Sequence, residues 1–199
     1  LSHLIIDKMP TYPSDPNVSF VKVKEITEGE TLLHKFEMGT HTGTHLDVPA
    51  HVILGSKTLN DFSLDNFHGR AVRVNKDTYH NLDKIAEKID GIIYDTNWYR
   101  YFKKPEIFYG SERPPIPKNL ISKAQKLEIK FFGCDLPSVD TSGSKSKPVH
   151  HAFMKKNIIL YESLTNLEKL PLLKPFDFYG FPLPLDALDG SPIRAVGII

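Results

Sequence analysis

The sequence predicts an α/β fold in which helices flank one mixed β-sheet. Roughly eight or nine segments have the pattern of β-strands, and roughly three or four have that of helices. Hydrophobic residues make up 40% of the 199 residues and charged residues 25%, so we expect a packed core. The length fits one fairly large domain or two small ones, and because no internal repeat is visible we expect residues 1–199 to form a single domain.

Strands dominate the prediction for the first half of the chain. Residues 18–26 alternate apolar and polar side chains, which predicts a strand with one face in water. Residues 31–41 predict the next strand, and residues 70–76 predict a short one. Apolar side chains at positions 82, 85 and 89 predict a helix over residues 81–90 that ends at Gly91.

Helices and strands alternate in the prediction for the second half. Residues 94–117 are long, aromatic and loop-like, which is typical either of a lid or binding loop or of a surface excursion. Helices are predicted over residues 118–127 and from near Val149 to Asn157. The predicted strands cover residues 91–96, 128–135, 157–164, 176–185 and 191–199.

Charge and cysteine content exclude several classes of function. The formal net charge is +1 and there is no long basic run, so nothing indicates binding to nucleic acid or to an anionic membrane. Cys134 is the only cysteine, which excludes a disulfide framework and a Cys-based zinc cluster. No segment approaches the roughly 18 apolar residues of a membrane span, and the N-terminal segment lacks a signal-peptide pattern. We therefore expect a cytoplasmic protein whose partner is a small molecule.

One short stretch, HTGTHLDVPAH at residues 41–51, concentrates side chains that can bind metal. These side chains are His41, His45, Asp47 and His51. A helix is disfavoured here, because the stretch contains Gly43 and Pro49. In a helix interior, glycine costs about 1 kcal/mol and proline about 3 kcal/mol relative to alanine.

An extended conformation suits this stretch better. All four side chains stand at odd positions, so a period of two places them on one face. A straight strand would separate the Cα atoms of His41 and His45 by about 13 Å, at about 3.3 Å per residue. We therefore expect a bend at Gly43 that brings the two rings together. Nitrogen and oxygen ligands favour Zn²⁺, with Mn²⁺ or Fe²⁺ as alternatives. A set of ordinary half-buried polar side chains is the alternative that the spacing leaves open.

The same stretch resembles the H-x-G-T-H-x-D-x-P-x-H signature of the metal-dependent cyclase-like hydrolases, which include bacterial kynurenine formamidases and isatin hydrolases. Every fixed position of that signature is met. Residues 133–140, GCDLPSVD, are similar to the family's G-x-D-x-x-S-x-D segment. His150 and Glu162 have the family's twelve-residue interval between a His ligand and a Glu ligand, whereas His151 is one residue off. Residues 9–16 and 189–199 resemble the family's first and last segments more weakly.

The resemblance implies a swivelling β/β/α fold, an assembly of two or four subunits, and one or two divalent ions, with Zn²⁺ the first expectation. The implied metal ligands are His41, His45, Asp47, His150 and Glu162. The first three would bind one ion, and Asp47 with the last two would surround a second. His51 is implied as the general acid/base, with the role of a metal ligand as its alternative. Tyr12 is implied as an aromatic side chain that lines the substrate pocket.

The activity that this resemblance implies is hydrolysis of an amide C–N bond by a metal-activated water, with the arylformamidase of tryptophan catabolism as the named example. His51 would take the proton of the water and return it to the leaving nitrogen. Other reactions use the same metal centre, namely the opening of a cyclic amide and a dehydrating cyclisation. A metal-binding protein without turnover is the alternative from another class.

Overall fold

The computed structural model describes all 199 residues, Leu1–Ile199, and contains ten strands in two β-sheets. The strands are β1 (Ser19–Lys24), β2 (Leu33–Glu37), β3 (His45–Asp47), β4 (His68–Val74), β5 (Gly91–Tyr94), β6 (Phe131–Cys134), β7 (Ile159–Glu162), β8 (Pro175–Tyr179), β9 (Gly190–Pro192) and β10 (Val196–Ile198). The helices are α1 (Pro105–Phe108), α2 (Lys118–Lys126) and α3 (Pro148–Met154), with six short 3₁₀ helices between the strands.

Eight strands form the main sheet, in the order β10-β8-β4-β5-β6-β7-β3-β9. The four central strands β4 to β7 are parallel, and the outer strands pair antiparallel to their neighbours. Parallel strands need a crossover connection. Here α1 and α2 lie between β5 and β6, and α3 lies between β6 and β7. The predicted α/β fold with a mixed sheet is confirmed.

Both faces of the sheet are buried, because successive side chains of a strand point to opposite sides. Phe132 of β6 joins one core, in which Leu120 of α2 and Phe153 of α3 cover the sheet. Phe131 joins a second core on the other face, with Tyr161 and Phe178. This burial on both sides explains why the central strands are almost continuously apolar.

The helix predicted over residues 81–90 is wrong. Only a 3₁₀ helix, Tyr79–Lys84, forms there, and the rest of the segment is irregular. Asp90 explains the difference: its backbone N–H donates to the carbonyl of Arg70 at 2.7 Å, and its carboxylate accepts from the Arg70 N–H at 2.9 Å. These bonds hold the end of the segment beside β4. By contrast, the helices predicted near residues 118–127 and 149–157 form as α2 and α3.

The hairpin formed by β1 and β2 lies outside the main sheet. Residues 18–26 were expected to have one wet face, but side chains on both faces of the hairpin are exposed. Phe36 is 62% exposed and Ile26 is 73% exposed. The expectation failed because no other element packs on either face of this two-stranded sheet. Alternation alone cannot reveal that absence.

No helix has both the length and the apolar character needed to cross a membrane.

Gly91 provides a test of the packing between β5 and β6. A methyl group at this position would overlap the buried ring of Phe131, its neighbour across the parallel pair. We expect Gly91→Ala to lower the free energy of unfolding by about 1–3 kcal/mol, the usual cost of overpacking a core. Gly39→Ala is the control, since its methyl group would meet nothing closer than 3.4 Å. Urea denaturation measures both variants, and equal stabilities would contradict the packing.

Candidate metal centre

Strand β3 brings the central side chains of the site together. It lies between β7 and β9, and its antiparallel register with β7 places His45 directly opposite Glu162. His45 and Asp47 are two residues apart and therefore share a face of the strand. All three side chains are buried, at 3%, 1% and 3% exposure for His45, Asp47 and Glu162 respectively.

A turn at Gly43 brings His41 back toward His45. Gly43 has φ +62°, a conformation that glycine adopts without steric cost. The ring centroids of His41 and His45 are 5.2 Å apart, in an edge-to-face arrangement. The predicted bend is therefore confirmed.

Helix α3 places His150 beside Asp47 and Glu162. Asp140 lies just before the helix and accepts the backbone N–H groups of Val149 and His150 at 2.9 and 3.2 Å. The same carboxylate accepts Nδ1–H of His150 at 2.6 Å. Asp140 therefore fixes both the start of the helix and the tautomer of His150, whose Nε2 is left facing Asp47 and Glu162.

Four side chains point their ligand atoms at a shared gap. Nε2 of His45 is 3.3 Å from Asp47 Oδ1 and 3.6 Å from Glu162 Oε2. Nε2 of His150 is 3.6 Å from Asp47 Oδ2 and 3.5 Å from Glu162 Oε1. Oδ2 of Asp47 is buried and has no hydrogen-bond partner. Two ligand atoms bound at about 2.1 Å to one tetrahedral ion lie about 3.4 Å apart, so each of these pairs has a separation that suits a divalent cation. Three ligand atoms lie within 4.8 Å of one another in the group His41, His45 and Asp47, and again in the group Asp47, His51 and His150.

His45 and Glu162 are also held by hydrogen bonds to the surrounding backbone. His45 donates Nδ1–H to the carbonyl of Gly43 at 2.9 Å, which leaves its Nε2 free of a proton in the neutral ring. Glu162 Oε1 accepts the backbone N–H of Val139 at 2.7 Å. Such outer hydrogen bonds orient metal ligands in proteins.

The electrostatic field of the site favours positive charge. Burial alone would lower the pKa of each histidine, but nearby carboxylates outweigh it. In this way Asp47 and Asp189 raise the pKa of His41 to about 9. Asp140 and Asp47 likewise raise the pKa of His150 to about 9. The pKa of His45 is also raised well above its ordinary value, by Asp47 and Glu162. A metal cation would compete with protons for this field.

His41 differs from the other histidines, because both of its ring nitrogens lie within hydrogen-bonding distance of a carboxylate. Nδ1 lies 2.6 Å from Asp47 Oδ1, and Nε2 lies 2.9 Å from Asp189 Oδ2. Since a carboxylate only accepts hydrogen bonds, the ring carries both protons in this arrangement. The proton on Nδ1 therefore occupies the position between two ligand atoms that a metal ion would take.

His51 lies beside the cluster, at the end of the 3₁₀ helix Pro49–His51. Its ring centroid is 4.1 Å from that of His41 and 5.6 Å from that of His150. Nδ1–H donates to Asp189 Oδ2 at 3.1 Å. Hydrogen bonds from His41 and His51 hold the pKa of Asp189 below its ordinary value, so this carboxylate is ionised. Nε2 of His51 lies 3.3 Å from Nζ of Lys147, and because an ammonium group only donates, this nitrogen is the acceptor in that contact.

A cavity of about 230 Å³ opens onto the cluster, and its wall is mostly polar. All seven site residues that the sequence predicts line it: Tyr12, His41, His45, Asp47, His51, His150 and Glu162. The ring of Tyr12 meets that of Tyr109 edge to face at 5.8 Å. The volume is below the roughly 300–1,000 Å³ of pockets for drug-sized ligands, so the cavity suits a small substrate.

Several residues of the site were not predicted. Asp189 is one, although the closing segment that contains it was noted, and β9 brings it beside β3. Tyr109 and Arg113 come from the long loop over residues 94–117. Lys147 precedes α3, and its Nζ lies 3.3 Å from His51 Nε2. Lys147 stands three residues before the predicted ligand His150, and Tyr109 and Arg113 lie in the long loop that the sequence predicts as a possible binding loop. Asp189 has no signal beyond the weak resemblance of residues 189–199 to the family's last segment.

Relatives with curated names resemble the whole chain. A kynurenine formamidase of Geobacillus thermodenitrificans is 30% identical over 205 residues, which cover 98% of this chain and 94% of the relative. A kynurenine formamidase of Salinibacter ruber is 27% identical over 202 residues, with the same two coverages.

Solved structures share the fold. Isatin hydrolase A from Labrenzia aggregata, bound to benzyl benzoate, superimposes with a TM-score of 0.85 at 17% identity, over 100% of this chain and 92% of that chain. Isatin hydrolase A from Ralstonia solanacearum gives a TM-score of 0.84 at 19% identity, over 100% and 90% of the two chains. A family model described as a putative cyclase matches residues 1–141. The resemblance seen in the sequence is thereby confirmed, and this chain belongs to the putative cyclase family.

Proposed function

We propose that this protein is a metal-dependent hydrolase that cleaves the amide bond of an N-formyl aromatic amine, as an arylformamidase does. One observation carries the proposal: buried ligand atoms of His45, Asp47, His150 and Glu162 converge beside the pair formed by His51 and Asp189. The names of the relatives support the choice of a formamide.

The proposed metal ligands are those implied by the sequence: His41, His45, Asp47, His150 and Glu162. Asp47 would be shared if two ions bind, because its two oxygens face His45 and His150 respectively. Imidazole and carboxylate ligands suit Zn²⁺ best, with Mn²⁺ or Fe²⁺ as alternatives. A divalent cation bound here supplies Lewis acidity, which lowers the pKa of water and polarises a carbonyl oxygen.

His51 would move the proton. Its Nε2 lies at the cavity and, once the ammonium group of Lys147 moves away from it, would take a proton from the attacking water as the oxygen–carbon bond forms. The same nitrogen then returns that proton to the amide nitrogen as the carbon–nitrogen bond breaks, which gives formate and an aromatic amine. Asp189 would hold the ring in the required tautomer and stabilise the charged imidazolium between the two transfers.

Opening of a cyclic amide is the second candidate, since structural neighbours with this fold are isatin hydrolases. A screen separates the two reactions. Protein loaded separately with Zn²⁺, Mn²⁺ and Fe²⁺ is expected to release formate from N-formylkynurenine and formanilide faster than it opens isatin. The reverse preference would favour the cyclic amide. No turnover of any substrate with metal bound would overturn the hydrolase proposal in favour of a metal-binding protein.

The division of roles between His51 and Asp47 can be tested by mutation. We expect His51→Ala to keep its metal but to lose about 10²–10⁴-fold in kcat, the usual size of a general acid/base contribution. Asp47→Asn is expected to lose metal and activity together, because it removes the buried charge at the gap. Metal content after dialysis, by elemental analysis, distinguishes the two. His80→Ala, an exposed histidine, is the control. A metal-free His51→Ala protein would make His51 a ligand instead.

We also propose that residues 1–199 act as one domain in the cytoplasm and that the protein is a homodimer paired through the β1–β2 hairpin. An isolated two-stranded sheet is marginally stable in water, and this one exposes large apolar side chains on both faces. Its lysines are paired with its own glutamates: Lys22 with Glu25 at 2.9 Å and Lys35 with Glu37 at 3.6 Å. A neutral, apolar patch suits a second identical copy.

Phe36 tests the dimer, because it is highly exposed and pairs with Phe20 across the hairpin. Sedimentation is expected to give the mass of two chains for the wild type and of one chain for Phe36→Asp. Leu54→Asp is the control, since Leu54 is an apolar side chain outside the hairpin that is even more exposed than Phe36, and this variant should remain dimeric. A monomeric wild type would refute this interface.

A further inference from the structure

Two cationic side chains line the cavity without an acidic partner. Lys147 and Arg113 both face the space above the metal centre, and neither forms an ion pair with any carboxylate of the protein. By contrast, Arg73, which is half-buried like Lys147, donates to Asp95 at 2.6 Å. The positive charges of Lys147 and Arg113 are therefore not paired with any carboxylate.

Arg113 is the more deeply buried, at 4% exposure. Its Nη2 donates to the backbone carbonyl of Asp140 at 2.9 Å, while Nε and Nη1 are buried without any hydrogen-bond partner. A buried charge is costly unless it is compensated. The guanidinium thus adds positive potential to one wall of the cavity, and no carboxylate binds it directly.

Lys147 reaches the reacting end of the cavity. Its Nζ lies 3.3 Å from Nε2 of His51, and this is its only polar contact. An ammonium group so close to a divalent-cation site is repelled by the ion. An anionic group placed between the ion and the ammonium group would attract both and so offset that repulsion. Lys147 is only half-buried, so such a group can reach it.

We propose that Lys147, backed by Arg113, binds a carboxylate of the substrate and so makes this protein selective for formamides that carry a carboxylate close to the amide. The inference rests on the proposed hydrolase function and adds the substrate class. Because Lys147 touches the group that moves the proton, the carboxylate must be near the bond that breaks. On a benzene ring this corresponds to the ortho position.

Three probes of similar shape test the proposal: 2-formamidobenzoate, 4-formamidobenzoate and neutral formanilide. The metal-loaded wild type is expected to hydrolyse the ortho compound with a kcat/KM at least about tenfold above those of the other two, since charge-assisted hydrogen bonds have that worth. Lys147→Met should remove this preference mainly by raising KM for the ortho compound. Lys147→Arg should restore it. Lys145→Met, which removes a charge outside the cavity, is the control.

The outcomes separate this inference from the proposed function. Hydrolysis of all three probes without preference, or an equal loss for all three in Lys147→Met, would overturn the carboxylate site and leave the hydrolase intact. If no probe is hydrolysed, the hydrolase proposal fails, and calorimetry with the amine 2-aminobenzoate decides the site alone. The carboxylate site is supported if 2-aminobenzoate binds the wild type and Lys145→Met but not Lys147→Met. It is refuted if 2-aminobenzoate binds all three proteins equally or does not bind the wild type.

Discussion

The buried negative charge around Asp47 is the constraint on which the site depends. This side chain is 1% exposed, and one of its oxygens has no hydrogen-bond partner. The carboxylates of Glu162, Asp140 and Asp189 contact the same group of histidines. Buried charges persist only when opposite charge compensates them. Protons on the histidines do so in part, which is why the pKa values of His41 and His150 rise. A divalent cation would do so more completely.

The fold holds these charges in place through elements that are distant in sequence. β3 contributes two ligands, and its neighbours β7 and β9 bring Glu162 and the segment of Asp189 to its two sides. The contact of α3 with Asp140 fixes the remaining imidazole. Because most of these side chains lie on or next to strands and make a second hydrogen bond, their rotamers are restricted before any ion arrives. Such preorganisation is what a metal site requires.

The sequence predicted the parts of this arrangement that are local, and missed those that depend on distant pairing. The bend at Gly43 followed from chain geometry within five residues, and the interval between His150 and Glu162 came from a family pattern. Asp189 contacts His41 across 148 residues, so no local pattern could reveal its role. The failed helix at 81–90 has the same cause, since hydrogen bonds from Asp90 to β4 outweigh local helix preference. Both faces of the hairpin are exposed because no other element covers them. The periodicity of a strand shows how its own side chains alternate, but it does not show whether another element packs on them.

The candidate metal centre and the cavity wall have different roles: the first would determine the reaction, and the second would determine the substrate. In the proposed reaction the histidine and carboxylate ligands would act on the amide group, which every candidate substrate shares, so they would not discriminate between formamides and cyclic amides. Groups that contact the rest of the substrate would have to discriminate between formamides and cyclic amides. In this protein those groups come from the loop over residues 94–117, through Tyr109 and Arg113, and from Lys147 before α3. Loops tolerate change more readily than a charged strand core. A change of substrate would therefore require changes in these loops and not around Asp47.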